Sequence, residues 1–164
     1  MARADLRAWN SGAAYGKGLQ IHPDGFKDTL TAEIKEGLAL SGSDIARAEI
    51  AHTDMWRRFQ TLLESYEYFI LPTTQLPPFD VNTTWPTEIN GVHLTNYIDW
   101  MKSCWYISTT GNPAASVPAG FTPEGLPIGL QIVGRDKQDF SVLQLAHAFE
   151  KASNFGRRRP NIAL

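Results

Sequence analysis

The fold of this chain is decided by residues 111–134, which read GNPAASVPAGFTPEGLPIGLQIVG. Two apolar runs lie in this stretch, at residues 115–121 and 128–133, and each has the length of a strand. Residues 123–125 (PEG) separate the runs, and in such a turn proline presets one backbone angle while glycine accepts a positive φ. The stretch therefore predicts two strands paired as an antiparallel hairpin.

Helix patterns precede the hairpin. In residues 29–38 the apolar side chains recur every four positions, which predicts a short helix. Ser43 is placed to cap a longer helix whose apolar stripe runs through residues 45–66. Residues 68–71 form a short apolar run that Pro72 stops, and this predicts a strand covered on both faces in a mostly parallel sheet.

Two more helices are predicted beyond that strand. Residues 75–94 carry several prolines and an Asn-Gly pair, so they form a long loop of the kind that often serves function. Thr95 is placed to cap a helix that runs to about Ser108, and Asp139 is placed to cap the last helix. The side chains expected to face inward from the last helix are Phe140, Leu143, Ala146 and Phe149.

The beginning of the chain shows no sustained period. Residues 1–27 are punctuated by four glycines, and they are expected to form an irregular connection. Residues 28–164 then form the helix and strand core. Helices that alternate with short strands place the chain in the α/β class, and its length allows one domain at most.

The amino-acid composition is that of a soluble globular protein and gives no sign of nucleic-acid binding. The chain has 164 residues, of which 43% are hydrophobic and 20% charged, as in a soluble globular domain. Its 15 basic residues are balanced by 17 acidic ones, so no basic surface is expected to bind nucleic acid. Cys104 is the single cysteine, which excludes an internal disulfide and suits a reducing compartment. With no long apolar run to enter a membrane and no signal sequence, the expected location is cytoplasmic.

A self-contained catalytic centre is not apparent in the sequence. Hydrolysis through a nucleophile needs a base beside that nucleophile and donors for the oxyanion. Ser116 has no nucleophile-elbow motif around it, and Ser103 cannot use Lys102 because adjacent helical residues do not face each other. The four histidines stand too far apart to form a zinc motif with Cys104. No catalytic residue, metal or organic cofactor is therefore expected.

The order of the motifs resembles the closing region of the amidase-signature family. That region has an apolar strand ending in Pro-Thr, here residues 70–73, and then the two glycine- and proline-marked segments 111–120 and 125–134. A helix carrying Ala and Glu follows at residues 146–150. The resemblance covers about residues 44–160, and residues 85–89 and 97–101 further resemble a broad group of bacterial amidases.

The resemblance also implies what this sequence lacks. Members of this Ser-cisSer-Lys family hydrolyse carbon-nitrogen bonds with a serine nucleophile, a second serine in a cis peptide, a lysine base and a Gly-Gly-Ser-Ser-Gly-Gly-like stretch, and none of these motifs occurs here. The chain is thus expected to be a carboxyl-terminal fragment or subunit, inactive alone. It would form part of a mixed sheet flanked by helices, incomplete without the upstream catalytic portion. Its expected partners are a small amide substrate and that amino-terminal portion, or other copies through self-association.

The resemblance points to one candidate substrate-binding helix face. Met101, with Tyr97 and Trp105 one turn away on either side, is expected to line the substrate pocket, although such a stripe also suits plain core packing. In the glutamyl-tRNA amidotransferase relatives an acidic residue near this place helps to hold the amino acid, and a count back from Gly111 puts Met101 there. This departure favours a less polar substrate and argues against the tRNA-dependent activity.

Two other functions fit the same sequence. One is a non-catalytic binding or assembly module that keeps the amidase closing fold, and the other is a truncated gene product without a function of its own. An adjoining reading frame with the serine and lysine motifs would favour the amidase, whereas a complete, separately expressed gene would favour the module.

Overall fold

A computed structural model describes residues 2–158, with side chains from Asp5 onward. Contacts group the chain into two units, one ending at Arg58 and the other beginning at Phe59. In the described part the helices are α1 (Ala2–Ile21), α2 (Asp28–Ala39), α3 (Gly42–Ser65), α4 (Lys102–Thr110) and α5 (Asp139–Ser153). The strands are β1 (Phe69–Pro72), β2 (Glu88–Ile89), β3 (Val92–His93), β4 (Ala114–Phe121) and β5 (Pro127–Val133).

The first unit begins with a helix where the sequence predicted an irregular connection. Helix α1 runs for 20 residues, so the prediction for residues 1–27 is wrong over most of its length. Two of the glycines that suggested irregular backbone, Gly12 and Gly16, lie where α1 passes α2. A Cβ on Gly12 would be 3.0 Å from the backbone of Gly37, and a Cβ on Gly37 would be 1.7 Å from the carbonyl oxygen of Ala8. Close packing of the two helices thus offsets the low helix propensity of glycine.

The predicted helix of residues 29–38 is confirmed as α2. Its inward side chain Ile34 is fully buried, together with Leu6 and Ala8 of α1. Polar contacts flank this apolar centre: Glu33 accepts a hydrogen bond from Ser11 at 2.7 Å and pairs with Arg7 at 3.0 Å.

Helix α3 is capped by Ser41 and not, as predicted, by Ser43. The Ser41 hydroxyl accepts from the Asp44 backbone N–H at 3.2 Å, and the Asp44 carboxylate accepts from the Ser41 backbone N–H at 2.9 Å. This reciprocal pair satisfies two N–H groups at once, which Ser43 inside the first turn could not do. The Ser41 hydrogen bonds hold the pKa of Asp44 below its ordinary value. As pH falls through the folded-state pKa of Asp44, the bond from the Ser41 N–H to the Asp44 carboxylate therefore weakens, while the bond that the Ser41 hydroxyl accepts remains.

The second unit contains a sheet with the strand order β1-β5-β4. The predicted hairpin is confirmed: β4 and β5 pair antiparallel, from Ala114 opposite Val133 to Phe121 opposite Pro127. Strand β1 also pairs antiparallel with β5, so the expectation of a mostly parallel sheet is wrong for the described strands. The short 122–126 turn makes β4 and β5 antiparallel, and β1 lies on the other side of β5. Ile70 of β1 remains 51% exposed.

Helix α5 covers one face of this sheet. Val142 and Ala146 pack with Val117 and Ile132, and Leu145 and Phe149 lie against the same cluster. The prediction that Phe140 and Leu143 face inward is wrong, since these side chains are 74% and 61% exposed. The buried stripe is Val142, Leu145, Ala146 and Phe149, which keeps the helical period but is rotated away from Phe140. Asp139 is the first residue of α5 and makes no side-chain cap.

The long loop between β1 and α4 contains a two-stranded hairpin. Strands β2 and β3 pair across Asn90-Gly91, and both residues have positive φ, at 55° and 78°. Such angles suit the type I′ turn that an Asn-Gly pair favours. No helix among residues 2–158 is long and apolar enough to cross a lipid bilayer.

Candidate functional site

The predicted substrate-binding residues lie at a junction between two kinds of helix. Tyr97–Met101 is a 3-10 turn, and α4 begins only at Lys102. The turn is capped by the Asn96 side chain, which accepts from the Ile98 N–H at 3.1 Å, so the prediction of one helix capped by Thr95 is wrong. Thr95 instead donates to the Asp99 carboxylate through its backbone N–H and its hydroxyl.

The three predicted site residues therefore do not lie on one α-helix: Tyr97 and Met101 belong to the 3-10 turn and Trp105 to α4. In a 3-10 turn a spacing of four residues does not bring side chains to one face, because the turn repeats every three residues. Tyr97 packs on Trp100 with ring centroids 6.4 Å apart, and the indole N–H of Trp105 donates to the Ile98 carbonyl at 3.0 Å. Within residues 2–158 no hydrogen bond or ring contact joins Tyr97, Met101 and Trp105 to one another. All three are half-buried, and their contact with substrate stays a prediction.

An aromatic cluster surrounds the 3-10 turn. Trp100 packs edge-to-face against Phe79 of the long loop, with centroids 5.3 Å apart, and against Tyr97 on its other side. Trp105 in turn contacts Tyr106 at 4.3 Å. Phe79 therefore attaches the long loop to the 3-10 turn through its contact with Trp100.

Thr73, which directly follows β1, holds the start of α4. The Thr73 N–H continues the strand pairing by donating to the Gly129 carbonyl at 3.0 Å. Its own carbonyl accepts from the Ser103 hydroxyl and from the Cys104 thiol, each at 3.0 Å. Two residues further on, the Gln75 side chain accepts from the Lys102 N–H at 2.6 Å. The end of β1 therefore fixes the first turn of α4.

The Thr73 hydroxyl also bonds to the Ser116 hydroxyl, with the oxygens 2.7 Å apart. The two side chains meet above Gly129, where a Cβ would lie 2.7 Å from the Thr73 hydroxyl oxygen and 2.9 Å from that of Ser116. Glycine at this position is therefore a steric requirement of the hydroxyl pair. Thr73 could not be recognised from the sequence as the neighbour of Gly129, because the pairing of β1 with β5 was not predicted.

A second polar connection joins α3 to the end of β5. The Asn112 side chain is buried, donates to the Gly134 carbonyl at 2.9 Å and accepts from the Gln60 amide at 2.8 Å. Nearby, Arg135 donates to the Leu63 carbonyl near the end of α3 at 2.7 Å. Asn112 was not among the residues predicted from the sequence, although its place directly after Gly111, which ends α4 with φ of 69°, was a usable signal.

Within residues 2–158 the hydrogen bonds of the Ser103, Cys104 and Ser116 side chains are made to groups that are not bases. Ser103 and Cys104 donate to a backbone carbonyl, and Ser116 bonds to Thr73. The Lys102 ammonium lies 3.2 Å from the Asp99 carboxylate and is engaged in an ion pair with it. Burial opposes ionisation of Asp99, but hydrogen bonds from Thr95 and Lys102 outweigh it and lower the pKa of Asp99.

A cavity of about 370 Å³ lies elsewhere in the second unit, and none of the predicted site residues lines it. Its walls are polar, and Tyr68 there donates to the Ser141 carbonyl at 3.1 Å. In the described part of the chain, no three His, Cys, Asp or Glu side chains come together in a group that could hold a metal ion. The residues lining the cavity are Glu67, Tyr68, Arg135, Asp136, Gln138 and Ser141.

Known proteins resemble this chain in sequence. The Amidase family model matches residues 14–143. The acylamidase of Rhodococcus erythropolis is 34% identical over 134 residues, which is 81% of this chain and 28% of that protein. A glutamyl-tRNA(Gln) amidotransferase component from Geobacillus thermodenitrificans is 35% identical over 146 residues, which is 86% of this chain and 29% of that protein. The chain thus spans less than a third of the length of these relatives.

Solved structures resemble the chain in fold. A structure described as an amidase superposes with a TM-score of 0.83 at 24% identity, over 92% of this chain and 34% of that one. A bacterial aryl acylamidase of the amidase-signature family superposes with a TM-score of 0.81 at 24% identity, over 97% of this chain and 36% of that one. At this identity the likeness confirms the α/β fold, and the family model covers most of the sequence. The chain therefore belongs to the amidase-signature family.

Proposed function

We propose that this chain supplies the sheet, the back wall and part of the substrate pocket of an amidase that hydrolyses the carbon-nitrogen bond of a small amide. The nucleophile, base and oxyanion donors come from a catalytic portion outside these 164 residues. One observation carries the proposal: the chain has the family's closing motifs and fold, but it spans only 28% of the acylamidase and has no Ser-cisSer-Lys motif.

The chemistry of amide hydrolysis explains why the catalytic groups are proposed to lie outside this chain. The reaction needs a serine activated by a base, hydrogen-bond donors for the oxyanion and a proton for the leaving amine. Ser103, Cys104 and Ser116 are engaged in structural hydrogen bonds, and the Lys102 ammonium is paired with Asp99. The residues of this chain therefore act by holding the wall of the site and not by bond cleavage.

The substrate is proposed to carry an apolar group. Tyr97, Met101 and Trp105 present half-buried aromatic and thioether surface at the start of α4, as is typical of the apolar part of a ligand pocket. Two of the similar proteins are named acylamidase and aryl acylamidase, which fits an aryl or alkyl amide. An uncharged Met101 favours such a substrate over an amino acid held by an ion pair.

A chimera tests the proposed function. Residues of this chain replace the matching segment of the Rhodococcus erythropolis acylamidase, and hydrolysis of a set of anilides is measured. We expect the chimera to release aniline, because it combines a serine and lysine centre with a complete sheet. We expect the 164-residue chain alone to show no turnover above buffer, because it has no activated nucleophile.

The control is the same chimera with alanine in place of its nucleophilic serine, which should be inactive. A folded wild-type chimera without activity would contradict the proposal. So would hydrolysis by the purified chain alone that disappears when one of its own residues is replaced, and that result would move the catalytic centre into residues 1–164.

The Met101→Asp variant of the chimera tests the pocket. A charge against an apolar substrate group is poorly solvated, and even a neutral unpaired polar group costs about 1–3 kcal/mol, so KM for an anilide should rise about ten-fold or more. Since Met101 is only half-buried, the melting temperature should change little. Met101→Leu, which conserves volume, is the matched control and should leave KM near the wild-type value. Unfolding of Met101→Asp, with unchanged KM in Met101→Leu, would assign Met101 to core packing.

A further inference from the structure

The turn between β2 and β3 places an asparagine directly before a glycine at the surface. Asn90 and Gly91 are both exposed. A Cβ on Gly91 would meet nothing within 4 Å, so in the described part of the chain the space beside this residue is open. The side-chain amide of Asn90 and the backbone nitrogen of Gly91 are therefore neighbours at a place where no described group crowds them.

The hairpin that carries this turn is small. Strands β2 and β3 are joined by two residue pairs. Beyond them, the Leu94 N–H donates to the Thr87 carbonyl at 2.8 Å. A two-stranded hairpin is only marginally stable by itself, so opening of the turn costs little free energy. In the open state the backbone at Asn90 can rotate until the Gly91 nitrogen faces the Asn90 side-chain amide.

Asn90 is the one asparagine in the sequence that a glycine follows. A side chain on the following residue crowds its backbone nitrogen, and proline, which follows Asn112, has no backbone N–H. The other asparagines of the sequence are Asn10, Asn82, Asn96, Asn112, Asn154 and Asn161. Attack by a backbone nitrogen on the preceding asparagine is therefore least hindered at Asn90.

We propose that Asn90 is a site of spontaneous modification, at which the backbone nitrogen of Gly91 attacks the side-chain carbonyl carbon of Asn90. A carbon-nitrogen bond forms, and the side-chain amide nitrogen leaves as ammonia together with the proton of the attacking N–H. Water then cleaves one of the two ring bonds to the Gly91 nitrogen. Cleavage at the side-chain carbonyl gives aspartate, and cleavage at the main-chain carbonyl gives isoaspartate. Water is the only other reactant.

Both products change the hairpin. Each adds a negative charge to a turn that lies two residues from Glu88. Isoaspartate also lengthens the main chain by one carbon, and the type I′ turn, which depends on two α-linked residues, is then lost. Strand β3 leads directly to the buried Leu94, so the displacement is expected to reach that side chain. The proposal does not depend on the proposed function, because it involves no substrate.

Incubation of the purified 164-residue chain at mildly alkaline pH tests the proposal. The proteolytic fragment that contains Asn90 should become heavier by about 1 Da and should contain isoaspartate. The rate should rise with pH, because the attacking nitrogen has to lose its proton. Asp24, which also precedes a glycine, forms isoaspartate by the analogous ring closure without a change in mass, so the mass gain identifies Asn90.

Gly91→Ala separates ring closure from mere opening of the hairpin. Alanine is strained at a φ of 78°, so the variant opens the hairpin more often, but its methyl group crowds the attacking nitrogen. The rate should therefore fall about ten-fold, because the steric effect acts on the reacting atom itself. Asn82→Gln, in the same long loop, is the matched control and should leave the rate unchanged.

A peptide of residues 86–95 supplies the rate of the same sequence without the fold. An Asn90 that stays unmodified in the chain after this peptide has reacted completely would overturn the proposal. A faster reaction in Gly91→Ala would also overturn it, and so would an equal gain of mass in the fragments that contain the other asparagines.

Discussion

Replacing Gly37 by alanine should destabilise the first unit by about 3 kcal/mol or more, although the same change in most helices is favourable. The added Cβ would lie 1.7 Å from the Ala8 carbonyl oxygen and 2.3 Å from its carbonyl carbon. Both atoms belong to the backbone of α1, so no side-chain rotation can relieve the overlap. The two helices must move apart, which exposes the buried side chains Ile34 of α2 and Ala8 of α1.

Urea unfolding and amide hydrogen exchange measure this effect. The α1 and α2 amides of Gly37→Ala should exchange much faster than those of the wild type, because local opening becomes less costly. Gly42→Ala is the matched control: a Cβ there meets nothing within 4 Å, so stability should be unchanged or rise by up to about 1 kcal/mol. Ala8→Gly should not rescue Gly37→Ala, because it leaves the opposing carbonyl in place. Wild-type exchange rates in Gly37→Ala would contradict the close approach.

This contact also explains why the sequence of residues 1–27 predicted the wrong structure. Glycines spaced along an aromatic-containing segment usually indicate irregular backbone. In α1 two of them, Gly12 and Gly16, are instead positions at which another helix comes near, and that requirement comes from packing against α2, which lies outside the segment. A local sequence pattern reports only the conformational preference of its own segment. It carries no information about the second helix whose packing stabilises a segment of low helix propensity.

The hairpin could be predicted because its determinants are local. Two apolar runs and a Pro-Glu-Gly turn fix β4 and β5 through turn geometry, and the register follows from the short connection. The place of β1 could not be predicted in the same way. Its pairing with β5 joins residues far apart in sequence, and an apolar run of four residues fits a parallel or an antiparallel neighbour equally well.

The buried face of α5 could be predicted only in part from the sequence. Its sequence offers two apolar stripes, one through Phe140 and Leu143 and one through Val142, Ala146 and Phe149. The prediction of Phe140, Leu143, Ala146 and Phe149 as inward residues combined members of both stripes. The sheet instead takes the second, because the β4–β5 surface accepts small residues such as Ala146 at close range, with Val142 in contact with Gly134.

At the candidate site the sequence predicted one helix, whereas the structure has a 3-10 turn followed by α4. The change from a 3-10 turn to α4 at Met101 depends on Gln75 and Thr73, which hold the helix start from the end of β1. Such contacts between segments follow from the tertiary fold. The assignment of Tyr97, Met101 and Trp105 to the pocket therefore stays a prediction that the Met101 variants test.

Replacing Ile132 by alanine should cost about 2–5 kcal/mol and is the second large effect expected. Ile132 is 1% exposed and lies in the middle strand, between Ile70 of β1 and Ala115 of β4. Val142 and Ala146 of α5 close over it. A smaller side chain would leave a cavity, since a helix and two hydrogen-bonded strands cannot all collapse into the space.

Ile128→Ala is the matched control, because it removes the same atoms from the same strand on the same side of the sheet. Ile128 is 39% exposed, so its truncation leaves no closed cavity and should cost about 1 kcal/mol or less. The difference between the two urea midpoints then measures how completely α5 closes over β5. Equal midpoints would show that α5 does not pack there in solution. Phe140 lies on the exposed side of α5, so Phe140→Ala should leave the urea midpoint nearly unchanged. That result, together with the expected difference between Ile132→Ala and Ile128→Ala, would establish that α5 meets the sheet through Val142 and Ala146.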